Sequence, residues 1–146
     1  MKPIKILYID DNIDTSLSKY LDKFRYSDYT IFTKDIKYNP SSGYESLIFN
    51  PHISEANIIV IDSHLFENNN TGTEKFTGEE FKVIFKKAYP FIEVIVITQN
   101  EIDEQLDIVS KYQANDEVSP EQFYQQKLEK HLMRSIDNVD VNRKLA

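Results

Sequence analysis

Residues 56–62 have the sequence ANIIVID, an apolar run of mostly β-branched residues that stops on an aspartate. β-branched side chains favour strands, and strands that are apolar on both faces are typical of the interior of a parallel sheet. Residues 4–9 and 92–98 form two further apolar runs of the same kind. Such a sheet needs helices on both faces to cover it, so the sequence predicts an α/β domain.

The segments around these runs predict alternating helices and strands. Apolar residues at helical spacing indicate helices, and short β-branched runs bounded by turn residues indicate strands. The predicted helices are 12–24, 44–49, 78–89, 102–112 and one beginning at Pro120; the further predicted strands are 29–33 and 116–119. The resulting order predicts a five-stranded parallel sheet of flavodoxin-like type over residues 1–137, followed by a polar tail at 138–146.

Length and composition exclude several kinds of protein. A chain of 146 residues has the size of one domain, and the absence of cysteine excludes disulfides, thiolate zinc sites and cysteine nucleophiles. The net charge of −7 argues against nucleic acid as a partner. The amino-terminal segment does not resemble a signal peptide, and no apolar stretch has membrane-spanning length. We therefore expect a cytoplasmic protein that does not bind membranes.

Polar side chains end three of the predicted strands. Asp10 and Asp11 follow the first strand, Asp62 ends the third, and Thr98 ends the fourth. In open parallel sheets, ligands bind at the carboxyl ends of the strands. Carboxylates grouped there suit Mg²⁺, and a hydroxyl can donate to a phosphoryl oxygen. The alternative is that aspartate merely favours the turns that follow strands.

Three sequence motifs together resemble a known family. They are ILYIDDN at residues 6–12, IIVIDSHLF at 58–66 and VIVITQN at 94–100. In this order they resemble the receiver domain of two-component response regulators, over roughly residues 4–136. The resemblance implies a (βα)5 fold and a signalling role, with a histidine kinase or an effector protein as partner and a second copy of the chain as a further candidate.

The resemblance also implies roles for individual residues. Asp10 and Asp11 would be the acidic pair that coordinates Mg²⁺, and Asp62 would be both a metal ligand and the phospho-acceptor. His64 would contribute its backbone carbonyl to the metal. Thr98 would be the hydroxyl that moves toward the phosphoryl group.

The sequence departs from the family pattern at the predicted fifth strand. Receivers carry a lysine there, usually before a proline, but Ser119 precedes Pro120 in ANDEVSP at residues 114–120. Lys111 falls in the predicted helix 102–112 and is interpreted as an ordinary solvated residue. The expected aromatic on the fifth strand is also missing, since Asp116 or Glu117 occupies its place. These departures predict a degenerate pseudo-receiver that acts through protein interaction, not an enzyme beyond self-dephosphorylation.

Three alternatives remain open from the sequence. The first is a phosphorylatable, stand-alone response regulator that accepts phosphate on Asp62. The second is a magnesium-dependent phosphohydrolase resembling haloacid dehalogenases, although that class needs an aspartate two residues after its nucleophile and Asn12 follows Asp10 at that distance. The third is a structural or oligomerisation domain, for which replacing the three aspartates with asparagine would leave function intact.

Overall fold

The structure, a computed structural model, describes residues 2–38, 49–62, 78–98, 108–113 and 117–145. The strands are β1 (Lys2–Asp10), β2 (Tyr29–Lys37), β3 (Ile58–Asp62), β4 (Glu93–Thr98) and β5 (Ile108–Ser110). The helices in these ranges are α1 (Thr15–Lys23), α2 (Pro51–Glu55), α3 (Gly78–Ala88), α4 (Pro120–Lys127) and α5 (Glu129–Leu145).

The strands form one parallel sheet in the order β2-β1-β3-β4-β5. The chain therefore crosses over after β2, and β1 lies between β2 and β3. Ile9 of β1 is in register with Ile61 of β3, so the aspartates that follow these two residues reach the same edge of the sheet. The predicted five-stranded parallel sheet of receiver type is confirmed.

Apolar side chains fill a core on each face of the sheet. One core joins alternate residues of β1, β3 and β4 to α1, α4 and α5, and includes Tyr8, Leu17 and Tyr124. The other joins the remaining strand residues to α2 and α3, and includes Ile53 and Phe85. Each buried strand thus sends its side chains into both cores, which accounts for the unbroken apolar runs in the sequence.

The fifth strand is not where the sequence places it. β5 is Ile108–Ser110, inside the predicted helix 102–112, and it pairs with β4 from Val96 to Thr98. Residues 117–119 are not a strand, and Ser119 is the N-cap of α4, where its hydroxyl accepts a hydrogen bond from the Gln122 N–H. The prediction of a strand at 116–119 is therefore wrong for residues 117–119, and residue 116 lies outside the described residues.

Two further elements differ from the prediction. Pro51 begins the short helix α2 after the Asn50 cap, whereas the sequence predicts that a helix ends before it; residues 44–48 of that predicted helix lie outside the described residues. The predicted polar tail from residue 138 is helical as far as Leu145, and Val139 is buried. Among the helices described, none is both long and apolar enough to cross a membrane.

Candidate functional site

Two aspartates lie side by side at the carboxyl edge of the sheet. Asp10 ends β1 and Asp62 ends β3, and each is 1% exposed. Their strands are hydrogen-bonded neighbours, so the two carboxylates are brought together by the topology. Two buried like charges would repel strongly unless a cation lay between them.

Lys111 supplies that cation. Its ammonium Nζ lies 2.7 Å from Asp62 Oδ2 and 3.1 Å from Asp10 Oδ2. The lysine side chain is only 10% exposed, so its charge is largely withdrawn from water. Charge-assisted hydrogen bonds of this length in a buried setting are among the stronger polar contacts in proteins.

The position of Lys111 corrects the interpretation of the sequence. It is not an ordinary solvated residue at the end of a helix, because it directly follows β5 and contacts both aspartates. Ser119 does not replace it, since Ser119 caps α4. The missing lysine was the main reason for predicting a degenerate domain, and that reason no longer holds.

The local charges keep Asp10 and Lys111 ionised. Burial raises the pKa of Asp10, but hydrogen bonds from the Tyr8 hydroxyl and the Asn12 N–H, together with the charge of Lys111, leave it below its ordinary value. Burial lowers the pKa of Lys111, but the contacts with Asp62 and Asp10 outweigh this and leave it raised. Asp10 and Lys111 are therefore both charged in the neutral pH range, and the Lys111 ammonium contacts the Asp62 carboxyl group as well.

The backbone next to Lys111 is fixed on both sides. Its own N–H donates to the Thr98 carbonyl at 2.7 Å, which extends the pairing of β4 and β5 by one residue. The following N–H, that of Tyr112, donates to the Tyr124 hydroxyl at 3.1 Å. Tyr124 is fully buried in α4, so a helix on one face of the sheet helps to place the lysine.

Thr98 lies where the sequence predicts, at the carboxyl end of β4. It is 5% exposed and is in register with Ser110, the residue before Lys111. The backbone of Thr98 thus lies at the same carboxyl edge of the sheet as Asp10 and Asp62. Its proposed role as a switch hydroxyl stays a prediction.

The remaining predicted site residues are less completely placed. Asp11 follows β1 and is partly exposed. His64 lies outside the described residues. β5 consists of Ile108, Val109 and Ser110, so the aromatic residue expected on this strand is missing in its corrected position as well.

Comparison with known proteins gives the fold. No family model and no curated protein matches the chain. A two-component transcriptional regulator AraC from Clostridium phytofermentans ISDg matches over 98% of this chain and 99% of its own, with 17% identity and a TM-score of 0.52. The RcsB response regulator of Salmonella typhimurium matches over 96% of this chain and 69% of its own, with 16% identity and a TM-score of 0.52. This chain has the receiver-domain fold.

Receiver domains commonly bind Mg²⁺ at this edge of the sheet. Asp10 and Asp62 offer hard carboxylate oxygens, and both direct one oxygen to a single cation, the Lys111 ammonium. Within the described residues, however, no three His, Asp or Glu side chains are grouped closely enough to hold a metal ion. Two of the predicted ligands therefore fit Mg²⁺, while Asp11 is not gathered with them into a three-ligand group.

The aromatic residues near β5 are packed inside the receiver fold. Tyr124 is fully buried, Phe123 is 8% exposed, and Tyr112 packs partly buried against Phe123 with ring centroids 5.6 Å apart. The structure places them in or against the core.

Proposed function

We propose that this domain accepts a phosphoryl group on Asp62 and signals through the resulting change, with Lys111 as the cation that makes the transfer feasible. The observation that carries the proposal is the position of the Lys111 ammonium, 2.7 Å from Asp62 Oδ2 and 3.1 Å from Asp10 Oδ2. A pseudo-receiver without this cation was the expectation from sequence. The geometry favours the alternative of a phosphorylatable regulator.

The proposed reaction needs a nucleophile and charge stabilisation. An oxygen of the Asp62 carboxylate attacks the phosphorus of the donor, and the bond between phosphorus and the leaving oxygen breaks with its electron pair. The Lys111 ammonium, already at hydrogen-bond distance from Asp62, offsets negative charge on the transferring oxygens. Mg²⁺, when bound beside Asp10 and Asp62, would supply further positive charge and orient the donor.

The surroundings of Lys111 support a role beyond simple charge balance. Thr98 and Lys111 are joined through their backbones, and Tyr124 joins the next residue to α4. A shift of the ammonium from the carboxylates toward a phosphoryl group would therefore act on β4 and on a helix. Since β5 lacks an aromatic residue, we propose that output follows this backbone route and not an aromatic side-chain movement.

The proposed partners follow from this chemistry. A phosphohistidine on a kinase is a suitable donor, and a protein that distinguishes the phosphorylated from the unphosphorylated surface is the receiver of the signal. Hydrolysis of the acyl phosphate would reset the domain, so we expect no catalysis beyond self-dephosphorylation.

The proposal is tested by the intact mass of the protein after incubation with Mg²⁺ and acetyl phosphate. We expect the parent to gain one phosphoryl group and an Asp62→Asn variant to gain none. Lys111→Met should slow formation of the adduct by about 100-fold or more, the usual cost of removing a charge-stabilising group from a transition state. Lys127→Met, which removes an exposed lysine from α4, is the matched control and should behave as the parent.

Three outcomes would contradict the proposal. The parent gains no phosphoryl group, the Asp62→Asn variant gains one as readily as the parent, or Lys111→Met reacts at the parent rate. The first outcome would return the domain to the pseudo-receiver alternative despite its lysine.

A further inference from the structure

Tyr8 lies directly beneath the acidic pair, and it is neither the nucleophile nor the cation of the proposed reaction. It is two residues before Asp10 on β1, so both side chains point to the same face of the sheet. Its ring is fully buried in the core under α1, while its hydroxyl reaches the carboxylate. The distance from the Tyr8 hydroxyl to Asp10 Oδ2 is 2.6 Å.

The direction of each hydrogen bond at this hydroxyl is fixed by its partners. The Asp14 N–H can only donate, and it lies 3.1 Å from the Tyr8 oxygen, which must accept. The Asp10 carboxylate can only accept when ionised, so the phenolic proton points to Asp10. The Tyr8 hydroxyl thus accepts from the Asp14 N–H at the start of α1 and donates to the Asp10 carboxylate.

These contacts fix the orientation of the Asp10 carboxylate. Oδ1 accepts from the Asn12 N–H at 3.1 Å, and Oδ2 accepts from both Tyr8 and Lys111. Of these donors, Tyr8 and Asn12 would remain in place if the Lys111 ammonium moved away. Tyr8 and the Asn12 amide therefore hold the carboxylate independently of the lysine.

The same hydroxyl also closes the loop that carries Asp11. Asp14 is the N-cap of α1, where its side chain accepts from the Ser16 and Leu17 amides. Because the Tyr8 hydroxyl contacts both Asp10 and Asp14, it joins the two ends of the loop at residues 10–14. Asp11 lies within this closed loop, so its backbone position depends on the same link.

We propose that Tyr8 is a positioning residue that holds the Asp10 carboxylate in the geometry needed for divalent-cation binding. The proposal rests on the proposed function, because it concerns the cation site used there. A residue that hydrogen-bonds a metal ligand commonly contributes about 10- to 100-fold to metal affinity.

The test is Mg²⁺ binding by the Tyr8→Phe variant, which removes only the hydroxyl. We expect the dissociation constant for Mg²⁺, measured by calorimetric titration, to rise by about 10- to 100-fold. The Mg²⁺ concentration needed for half-maximal phosphorylation by acetyl phosphate should rise in parallel. The rate at saturating Mg²⁺ should recover, because Asp62 and Lys111 are untouched; general damage to the fold would lower the rate at every concentration.

Tyr26→Phe is the matched control. The Tyr26 hydroxyl also donates to an aspartate, Asp137, at 3.0 Å, but that pair is exposed and joins the segment between α1 and β2 to α5. This variant should bind Mg²⁺ as the parent does. If Tyr8→Phe fails to fold, Tyr8→His, which can keep a donor toward Asp10, takes its place and should bind Mg²⁺ more tightly than Tyr8→Leu.

The outcomes separate this inference from the proposed function. The positioning role would be overturned if Tyr8→Phe bound Mg²⁺ with the same affinity as the parent, or if Tyr8→His and Tyr8→Leu bound it equally well. In either case, a phosphoryl adduct on the parent would leave the proposed function standing. A parent that neither binds Mg²⁺ nor forms the adduct would overturn both. An equal loss of affinity in Tyr26→Phe would also overturn the positioning role.

Discussion

Replacing Lys111 with methionine should destabilise the domain in a way that depends strongly on pH. Methionine keeps an unbranched chain of similar length and removes the ammonium. Asp10 and Asp62, both 1% exposed, would then face each other without the cation that now contacts both. We expect a large loss in the free energy of unfolding at neutral pH in the absence of divalent cations.

Two estimates of the loss agree. Unit charges at the observed 2.7 Å between Lys111 and Asp62 attract by about 6 kcal/mol at an effective dielectric constant of about 20, and desolvation of the ammonium offsets part of this. Breaking a buried ion pair by removing one partner costs about 3–5 kcal/mol. The variant can also relieve repulsion by protonating one carboxylate, which costs about 4 kcal/mol at pH 7 for an ordinary aspartate.

Protonation sets the expected pH dependence. In the variant, the like charges raise the folded-state pKa of the carboxylate pair above the unfolded value. The folded variant therefore binds a proton that the unfolded chain does not, and its stability rises as pH falls from 7, by about 1.4 kcal/mol per pH unit. The deficit against the parent should be about 4 kcal/mol at pH 7 and below about 2 kcal/mol at pH 5.

Urea unfolding followed by far-ultraviolet circular dichroism, with chelator present, measures these differences. Lys127→Met is the control and should stay within about 0.5 kcal/mol of the parent, because it is an exposed residue. A deficit for Lys111→Met below about 0.5 kcal/mol at pH 7, or one that does not change between pH 7 and pH 5, would refute the charge arrangement.

Further predictions concern the same cluster. Asp10→Asn should lower the free energy of unfolding by about 1–3 kcal/mol at pH 7, because it removes charged hydrogen bonds. In a purely structural domain the same change would raise stability by removing the repulsion between Asp10 and Asp62. Urea unfolding distinguishes the two results. Because the pKa of Asp10 is lowered, its contribution is present above its ordinary value of 3.8 and is lost as pH falls through the folded-state pKa, so the parent and Asp10→Asn should converge in acid titrations of stability. The pKa of Lys111 is raised, so its contribution is complete below its ordinary value of 10.5 and is lost as pH rises through the folded-state pKa. In alkaline unfolding experiments the stability of the parent should therefore fall toward that of Lys111→Met. Tyr124→Phe removes the acceptor of the Tyr112 N–H and should cost about 1–2 kcal/mol while slowing phosphorylation by acetyl phosphate; an unchanged rate would contradict its role in placing Lys111.

Most of the sheet could be predicted from sequence because four strands are long enough to carry a clear pattern. The fifth could not, because β5 has only three residues. Ile102, Leu106 and Val109 have helical spacing, and short apolar runs do not distinguish strand from helix. The position of Ser119 before Pro120 matched the family pattern at the end of the fifth strand, but Ser119 is the N-cap of a helix.

The carboxylates and the lysine of the acidic site differ in how clearly the sequence identifies them. Asp10 and Asp62 each stop an apolar strand, which is a local signal. Lys111 has no such signal, because its partners lie 101 and 49 residues earlier in the chain. The predicted fifth strand began at residue 116 and not at Ile108, and this error hid the lysine that follows β5.

Tyr8 was missed for a different reason. A tyrosine within an apolar strand is ordinarily a core residue, and its ring is one here. Its spacing of two from Asp10 was nevertheless a usable signal, since residues i and i+2 of a strand share a face. A buried hydroxyl next to a buried carboxylate needs a partner, and each is the partner of the other.

The most direct test of the central claim is binding of beryllofluoride, a phosphoryl mimic, in the presence of Mg²⁺, followed by ¹⁹F NMR. We expect a bound fluoride signal with the parent, none with Asp62→Asn, and a much weaker one with Lys111→Met. The absence of a bound signal with the parent, or an equal signal with Asp62→Asn, would contradict a phosphoryl-accepting site at Asp62.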